Sequence, residues 1–259
     1  MPADLTTDPT TELPRVPTTQ PPTAPTTARA AAPRDGSDLR PAAVLWDMDG
    51  TLVDTEPYWI AAEQELVAEH GGTWTHEQAL QLVGNALTVS AGILRDQAGV
   101  DMEPDAIVER LLGRVVEQVR VRVPWRPGAV ELLSELVAQG VPCALVTMSY
   151  ASLAREVVDR APTNAFRTVV TGDQVTRGKP DPEPYLTAAA RLGVEPAACV
   201  AIEDSPTGIA SARAAGVPTL GVEAVVPVPR QAGLSRATSL ADVDPATLGR
   251  IATGEVLDL

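Results

Sequence analysis

The 259-residue sequence has few aromatic side chains and a deficit of positive charge. Aromatic residues make up 3% of the chain against 44% hydrophobic residues, so alanine, valine and leucine must fill any core. The formal net charge of −14 argues against nucleic acid and anionic membrane surfaces as partners, because both are bound through excess lysine and arginine. No segment approaches the roughly 20 apolar residues of a membrane span, and the N-terminus lacks the pattern of a secretory signal.

Cysteine and histidine are also scarce. Cys143 and Cys199 are too few for a disulfide framework in a chain of this length, and each opens an apolar run. We therefore expect two buried thiols and a cytoplasmic protein. The two histidines, His70 and His76, have no cysteine or histidine partner at metal-ligand spacing. We expect both on the surface and no zinc site.

The composition changes near residue 40. Residues 1–40 are rich in proline and threonine and nearly lack large apolar side chains, which predicts a disordered tail. The run at 42–46 is apolar throughout, as expected of a central parallel strand covered on both faces. Residues 56–123 read as helices separated by turns. The last of these helices has Ile107, Leu111, Leu112, Val115, Val116 and Val119 at helical spacing.

From residue 124 onward, apolar strand-length runs alternate with amphipathic helices. This alternation predicts an α/β fold with a doubly wound, Rossmann-like parallel sheet. We predict a core domain at 41–55 and 124–259, interrupted by the helical segment at 56–123.

Four short segments carry the polar residues of a candidate site. They are Asp47-Met48-Asp49-Gly50-Thr51, Thr147-Met148-Ser149, Lys179-Pro180 and Glu203-Asp204-Ser205. Three of them directly follow a predicted strand, and active sites of open parallel sheets lie just past the carboxyl ends of strands. Two aspartates, a hydroxyl, a lysine and an acidic pair should therefore converge. That set suits metal-assisted phosphoryl transfer.

These segments, in this order, resemble the haloacid-dehalogenase-like superfamily, in the branch of β-phosphoglucomutase and small-molecule phosphatases. The resemblance covers roughly residues 42–222. It implies that the segment 56–123 is an inserted α-helical cap domain and that the cofactor is Mg²⁺. It also implies that the partner is a small-molecule phosphate ester.

Asp47 is the predicted nucleophile, since a carboxylate can attack phosphorus and form an aspartyl-phosphate. The alternative is a loop carboxylate that caps a turn. Asp49 lies two residues on and should point the same way in an extended segment. The resemblance assigns it general acid–base catalysis, in which it protonates the leaving alcohol and later deprotonates water.

The acidic pair is the predicted metal site. By resemblance, Asp204 binds Mg²⁺ together with Asp47 and the main-chain carbonyl of Asp49, and Glu203 orients a metal-bound water. The alternative is an acidic pair at a helix start, where Ser205 would be the N-cap and Pro206 the first helical residue. Both descriptions can hold together.

The remaining segments supply the predicted phosphate contacts. Thr147 can donate its hydroxyl to a phosphate oxygen, and Ser149 either does likewise or caps the next helix. Met148 lies between them in the same phosphate-binding segment, with a side chain expected to pack. Lys179 should offset the charge of the transferring group; the alternative is an exposed lysine before a helix capped by Asp181.

We expect a phosphatase acting on a small phosphate monoester. We also expect a monomer, although no residue pattern decides the oligomeric state. One alternative is a β-phosphoglucomutase-type mutase, which by resemblance needs a histidine twelve residues after the nucleophile and a cap arginine for the distal phosphate. Here Trp59 occupies the first position and Leu87 the second, with Arg95 as a possible substitute. A catalytically silent binding or regulatory protein is the other alternative.

Overall fold

The computed structural model describes residues 40–259, so the predicted disordered tail lies outside the described residues except for its last position. Within this range the chain forms a six-stranded sheet in the order β3-β2-β1-β4-β5-β6, and every neighbouring pair of strands is parallel. The strands are Val44–Trp46 (β1), Cys143–Val146 (β2), Thr168–Val170 (β3), Val200–Glu203 (β4), Thr219–Val222 (β5) and Ser235–Ala237 (β6).

Helices cover both faces of the sheet, as the alternation in the sequence predicts. Side chains alternate along β1: Val44 and Trp46 belong to one hydrophobic cluster and Leu45 to another. The first cluster includes residues of the helices Ala129–Ala138 (α5), Ala151–Val158 (α6) and Pro245–Ala252 (α9). The second includes residues of the helices Glu183–Leu192 (α7) and Pro206–Ala214 (α8). The fold is therefore a doubly wound α/β sheet.

Four helices lie between β1 and α5 in the sequence, within the segment predicted to be the cap. They are Glu56–Glu69 (α1), His76–Ala79 (α2), Leu87–Ala98 (α3) and Pro104–Val121 (α4). We call α1–α4 and the loops that join them the insert. The six apolar residues expected on one face of α4 are all buried. The division of the chain into a core domain and a cap domain stays a prediction.

One local prediction needs correction, and one strand was not predicted. Helix α6 has Tyr150 as its N-cap, so the alternative role of Ser149 as that cap is wrong. Strand β6 pairs with β5 and has no counterpart in the sequence analysis. By contrast, Ser205 caps α8 as predicted, because its side chain accepts a hydrogen bond from the backbone N–H of Gly208.

Both cysteines are buried, as expected. Burial raises the pKa of the Cys143 thiol to about 12, so it stays protonated at neutral pH. His70 and His76 are both exposed, in agreement with the prediction. Within residues 40–259, no helix combines the length and the apolar character needed to cross a membrane.

Candidate active site

The four polar segments meet at the carboxyl edge of the sheet. Asp47 directly follows β1, Thr147 directly follows β2, and Glu203 ends β4 with Asp204 immediately after it. Strand β1 lies between β2 and β4, so the chain first builds the sheet on one side of β1 and then on the other. This reversal opens a crevice beyond the strand ends, which is where doubly wound sheets bind ligands.

Lys179 reaches this edge from the loop before α7. Its ammonium Nζ donates to Oδ1 of Asp47 at 2.5 Å and to Oε1 of Glu203 at 2.6 Å. Its backbone N–H donates to Sδ of Met148 at 3.2 Å, which fixes the loop against the segment after β2. The Lys179 side chain is 2% exposed, so the alternative of an exposed lysine before a capped helix is wrong.

Asp47, Glu203 and Asp204 form a buried acidic cluster, with one carboxylate oxygen of each within 4.8 Å of the others. Burial raises the pKa of Asp47 above its ordinary range despite the opposing charge of Lys179. Burial and the charge of Glu203 raise the pKa of Asp204 to about 8. Burial would lower the pKa of Lys179, but Asp47 and Glu203 raise it, so the ammonium stays charged.

In the described part of the chain, the cluster thus holds three carboxylates and one ammonium group, which pairs with Asp47 and Glu203. An excess of negative charge carried by hard oxygen atoms favours a divalent cation such as Mg²⁺. The residues present therefore fit the predicted metal.

Two neighbours of Asp49 position Asp204. The hydroxyl of Thr51 donates to Oδ1 of Asp204 at 3.0 Å. Gly50 has a φ of +87°, and a Cβ atom there would lie 2.1 Å from Oδ2 of Asp204. Only glycine accommodates both this backbone conformation and this close approach. The glycine and threonine of the first segment therefore hold a metal-ligand candidate in place.

Glu203 is fixed by α7 and α8. The Tyr185 hydroxyl donates to Oε1 of Glu203 at 2.6 Å, and Ser205 Oγ donates to Oε2 at 3.2 Å. A Cβ atom at Gly208 would lie 1.9 Å from Oε1, so this glycine leaves room for the carboxylate. The acidic pair therefore lies at a capped helix start and also belongs to the carboxylate cluster, as the sequence allowed.

Asp49 accepts four hydrogen bonds. Oδ1 accepts from Thr55 Oγ1 at 2.6 Å and from Trp59 Nε1 at 3.4 Å. Oδ2 accepts from Thr147 Oγ1 at 3.1 Å and from Ser149 Oγ at 2.8 Å. These donors hold the carboxylate in one orientation, and Trp59 belongs to the insert while Thr147 and Ser149 follow β2. Asp49 therefore connects the two sides of the site.

A cavity lies between this edge of the sheet and the insert. Asp47, Asp49, Thr147, Met148, Ser149 and Lys179 line it on the sheet side, and Glu56, Trp59, Glu63, Asn85, Leu87 and Ser90 are among the residues that line it from the insert. The predicted catalytic and phosphate-binding side chains thus face one space. Their individual roles stay predictions.

Three further residues contribute to the site and were not predicted from the sequence: Thr55, Tyr185 and Glu63. Thr55 is the N-cap of α1, a position where threonine ordinarily bonds its own helix, but here its hydroxyl points to Asp49. Tyr185 is fully buried in α7. The scarcity of aromatic residues is the one signal that could have directed attention to it. Glu63 lies among other glutamates on α1, and the sequence does not distinguish it from them.

Comparison with known proteins agrees with this geometry. The sequence profile of haloacid dehalogenase-like hydrolases matches residues 44–222. The chain is 34% identical to hexitol phosphatase A of Escherichia coli K12 over 74% of this chain and 88% of that protein. It is 35% identical to the N-acetylmuramic acid 6-phosphate phosphatase of Pseudomonas aeruginosa over 71% of this chain and 82% of that protein.

A solved structure agrees with these matches. CbbY from Rhodobacter sphaeroides, crystallised in complex with phosphate, superposes with a TM-score of 0.71 at 26% identity. The alignment covers 78% of this chain and 96% of CbbY. The chain belongs to the haloacid dehalogenase-like hydrolases, in the branch of small-molecule phosphatases and β-phosphoglucomutase-like proteins.

Proposed function

We propose that the protein is a Mg²⁺-dependent phosphatase that hydrolyses a small phosphate monoester of a sugar, polyol or similar alcohol through an aspartyl-phosphate. The observation that carries this proposal is the 2.5 Å pairing of Asp47 with Lys179 at the floor of a cavity that Asp49 also lines. The relatives named for hexitol and N-acetylmuramic acid 6-phosphate support a phosphorylated sugar or polyol as substrate.

The chemistry follows from two aspartates with different surroundings. Asp47 attacks phosphorus, the bond from phosphorus to the ester oxygen breaks, and Asp49 protonates that oxygen. Water then attacks the phosphorus of the aspartyl-phosphate, and the bond from phosphorus to the Asp47 oxygen breaks. Asp49 accepts a proton from this water, which restores its acid form, and inorganic phosphate leaves. Lys179 offsets the negative charge shared between Asp47 and the transferring group. Thr147 and Ser149, which now donate to Asp49, are placed to donate to phosphate oxygens instead.

Mg²⁺ would be held by the carboxylates of Asp47 and Asp204, by the main-chain carbonyl of Asp49 and, through water, by Glu203. When bound, it supplies positive charge that offsets the repulsion between the phosphate and the acidic cluster. The buried cluster supports this assignment because, among the described residues, its three carboxylates carry more negative charge than the one ammonium that pairs with Asp47 and Glu203 can offset.

Chelation tests the proposal. EDTA is expected to abolish phosphate release from a panel of phosphate monoesters, and excess Mg²⁺ is expected to restore it. Mg²⁺ should also raise the melting temperature of the wild type, because it binds the folded state alone. This rise should be lost in Asp204→Asn. Full activity in EDTA would show that the acidic pair is structural, and a panel on which nothing is hydrolysed would contradict the phosphatase itself.

The mutase alternative requires a histidine and an arginine at two positions that other residues occupy in this structure. Trp59, at the position of the mutase histidine, donates to Asp49 through an indole nitrogen that is a hydrogen-bond donor only and cannot act as an acid or base. Leu87 lines the cavity at the position of the distal arginine. Arg95 pairs with Asp96 on the exposed side of α3 and is not among the lining residues. Among the described residues that line the cavity, Lys179 is the one cation, so no second basic side chain is placed to bind the distal phosphate of a bisphosphate.

Phosphate release and formation of glucose 6-phosphate can be compared on one substrate. With Mg²⁺ and β-glucose 1-phosphate, we expect phosphate release and no measurable glucose 6-phosphate, because water reaches an aspartyl-phosphate that no histidine protects. A coupled glucose 6-phosphate dehydrogenase assay measures one product, and a phosphate assay measures the other. Interconversion that outpaced phosphate release would identify a mutase.

A further inference from the structure

The insert lines the cavity with two carboxylates. Glu56, Trp59 and Glu63 occupy positions i, i+3 and i+7 of α1, which places them on one face of the helix. All three side chains line the cavity, and both glutamates are buried, with exposures of 8% and 5%. The mechanism described above uses neither glutamate. The face of α1 that lines the cavity is therefore acidic, although neither glutamate has a role in the proposed reaction.

No basic side chain balances these glutamates. Among the described residues that line the cavity, Lys179 is the one cation, and it is already paired with Asp47 and Glu203. The insert adds Asn85 and Ser90 as neutral polar groups, and its other lining side chains are apolar. An alcohol that carried a second phosphate or a carboxylate would meet glutamates where a cation is needed. Electrostatic repulsion would therefore disfavour alcohols with a second anionic group relative to uncharged alcohols.

The Glu63 carboxylate lines the cavity with one oxygen fixed and the other able to accept a hydrogen bond from a ligand. Trp74 Nε1 donates to its Oε2 at 3.1 Å, which fixes the side chain, and within residues 40–259 Oε1 accepts no hydrogen bond. Burial raises the pKa of Glu63 to about 7 against the opposing bond from Trp74, and burial and Asp49 raise that of Glu56 to about 8. Near neutral pH these groups accept from or donate to hydroxyls. A second anion would face an ionised carboxylate or force it to remain protonated.

We propose that Glu63 is a specificity-determining residue that hydrogen-bonds a hydroxyl of the leaving alcohol and excludes alcohols bearing a second anion. The preferred substrates are then uncharged polyhydroxylated alcohols with a single phosphate. This inference rests on the proposed phosphatase function. It also separates the protein from the structurally similar CbbY of Rhodobacter sphaeroides, a variant of which was crystallised with xylulose-(1,5)bisphosphate.

Matched substrates test the selectivity in the wild type. Glucitol 6-phosphate and 6-phosphogluconate share a six-carbon open chain and differ in a hydroxymethyl group against a carboxylate. Fructose 6-phosphate and fructose 1,6-bisphosphate differ in a second phosphate. With Mg²⁺ at about pH 8, we expect kcat/KM to favour the member of each pair that has one anionic group by at least about 10-fold. The comparison needs no variant, so misfolding cannot confuse it.

A variant then tests the residue. Glu63→Gln keeps an acceptor for Trp74 and removes the charge, so we expect the glucitol-to-gluconate ratio to fall toward one, mainly through a lower KM for 6-phosphogluconate. Glu65→Gln is the matched control, because Glu65 lies on the same helix with a side chain that is 66% exposed. Its ratio should equal that of the wild type. Melting temperatures of both variants report whether the fold is intact.

The possible outcomes distinguish a failure of this inference from a failure of the proposed phosphatase function. A wild type that hydrolyses both members of each pair equally well would overturn the inference and leave the phosphatase standing. An unchanged ratio in a folded Glu63→Gln variant would overturn the role of Glu63. Hydrolysis of none of the four esters would overturn the proposed function and this inference with it.

Discussion

Asp47→Asn is expected to abolish phosphate release from every ester tested while the protein stays folded. The side chains are nearly isosteric, but the amide cannot attack phosphorus, so we expect kcat to fall by at least about 10³-fold. The fold should tolerate the change because Lys179 keeps Glu203 as a partner at 2.6 Å. No buried ammonium is therefore left without a counter-charge.

Phosphate release and the melting temperature of the same sample check this expectation. Asp159→Asn is a suitable control, since this aspartate is exposed at the end of α6 and should leave both quantities unchanged. Mass spectrometry of the quenched wild type should also reveal a phosphorylated Asp47. Turnover above a few per cent of the wild type in a folded Asp47→Asn variant would rule out the covalent mechanism.

The parts of the fold and site that depend on chain direction could be predicted from the sequence. A continuous apolar run at 42–46 can only be buried on both faces, and the polar residues after it must then lie at the carboxyl edge of a parallel sheet. Asp47 and Thr147 directly follow β1 and β2, Glu203 ends β4, and the three meet because β1 pairs with both β2 and β4. Strand adjacency alone therefore brings the candidate catalytic groups to one edge of the sheet, whatever the orientation of their side chains.

The parts that depend on side-chain orientation could not be predicted. Glu63 and Glu65 are two residues apart on a helix, and a glutamate-rich segment is typical of a solvated face. The insert packs against the sheet edge so that Glu63 is buried and Glu65 is exposed. Likewise, the hydroxyls of Thr55 and Ser149 fit helix-capping positions in the sequence, and both instead donate to Asp49. Strand β6 has the sequence Ser-Arg-Ala and therefore lacks the apolar run that predicted β1.

Lys179→Met is expected to remove activity and to destabilise the protein more than any other single change at the site. Lys179 is the one lysine of the chain, and every other basic side chain apart from the two histidines is an arginine. Its compact ammonium lies 2.5 Å from Asp47 and 2.6 Å from Glu203, a spacing with little room for a planar guanidinium. Lys179→Arg should therefore also be inactive although it preserves the charge.

Methionine in this place leaves buried carboxylates without a counter-charge. Removing one partner of a buried ion pair costs about 3–5 kcal/mol, which lowers the melting temperature of a domain this size by roughly 10 °C. Thermal and urea denaturation of both proteins measure the loss. Equal stability of Lys179→Met and the wild type would show that the pairing with Asp47 and Glu203 contributes nothing to the fold.

The pH dependence of this loss identifies its cause. Burial without Lys179 raises the pKa of Asp47 further above its unfolded value, and a carboxyl with a raised pKa adds stability at low pH that is lost as the pH rises through the folded pKa. The stability difference between Lys179→Met and the wild type should therefore be larger at about pH 8 than at about pH 5. A difference independent of pH would point to lost packing.

Combining Asp47→Asn with Lys179→Met should recover part of the stability, because the double change removes one of the unpaired carboxylates together with the ammonium. Full additivity of the two changes would mean that Asp47 and Lys179 do not act as a pair.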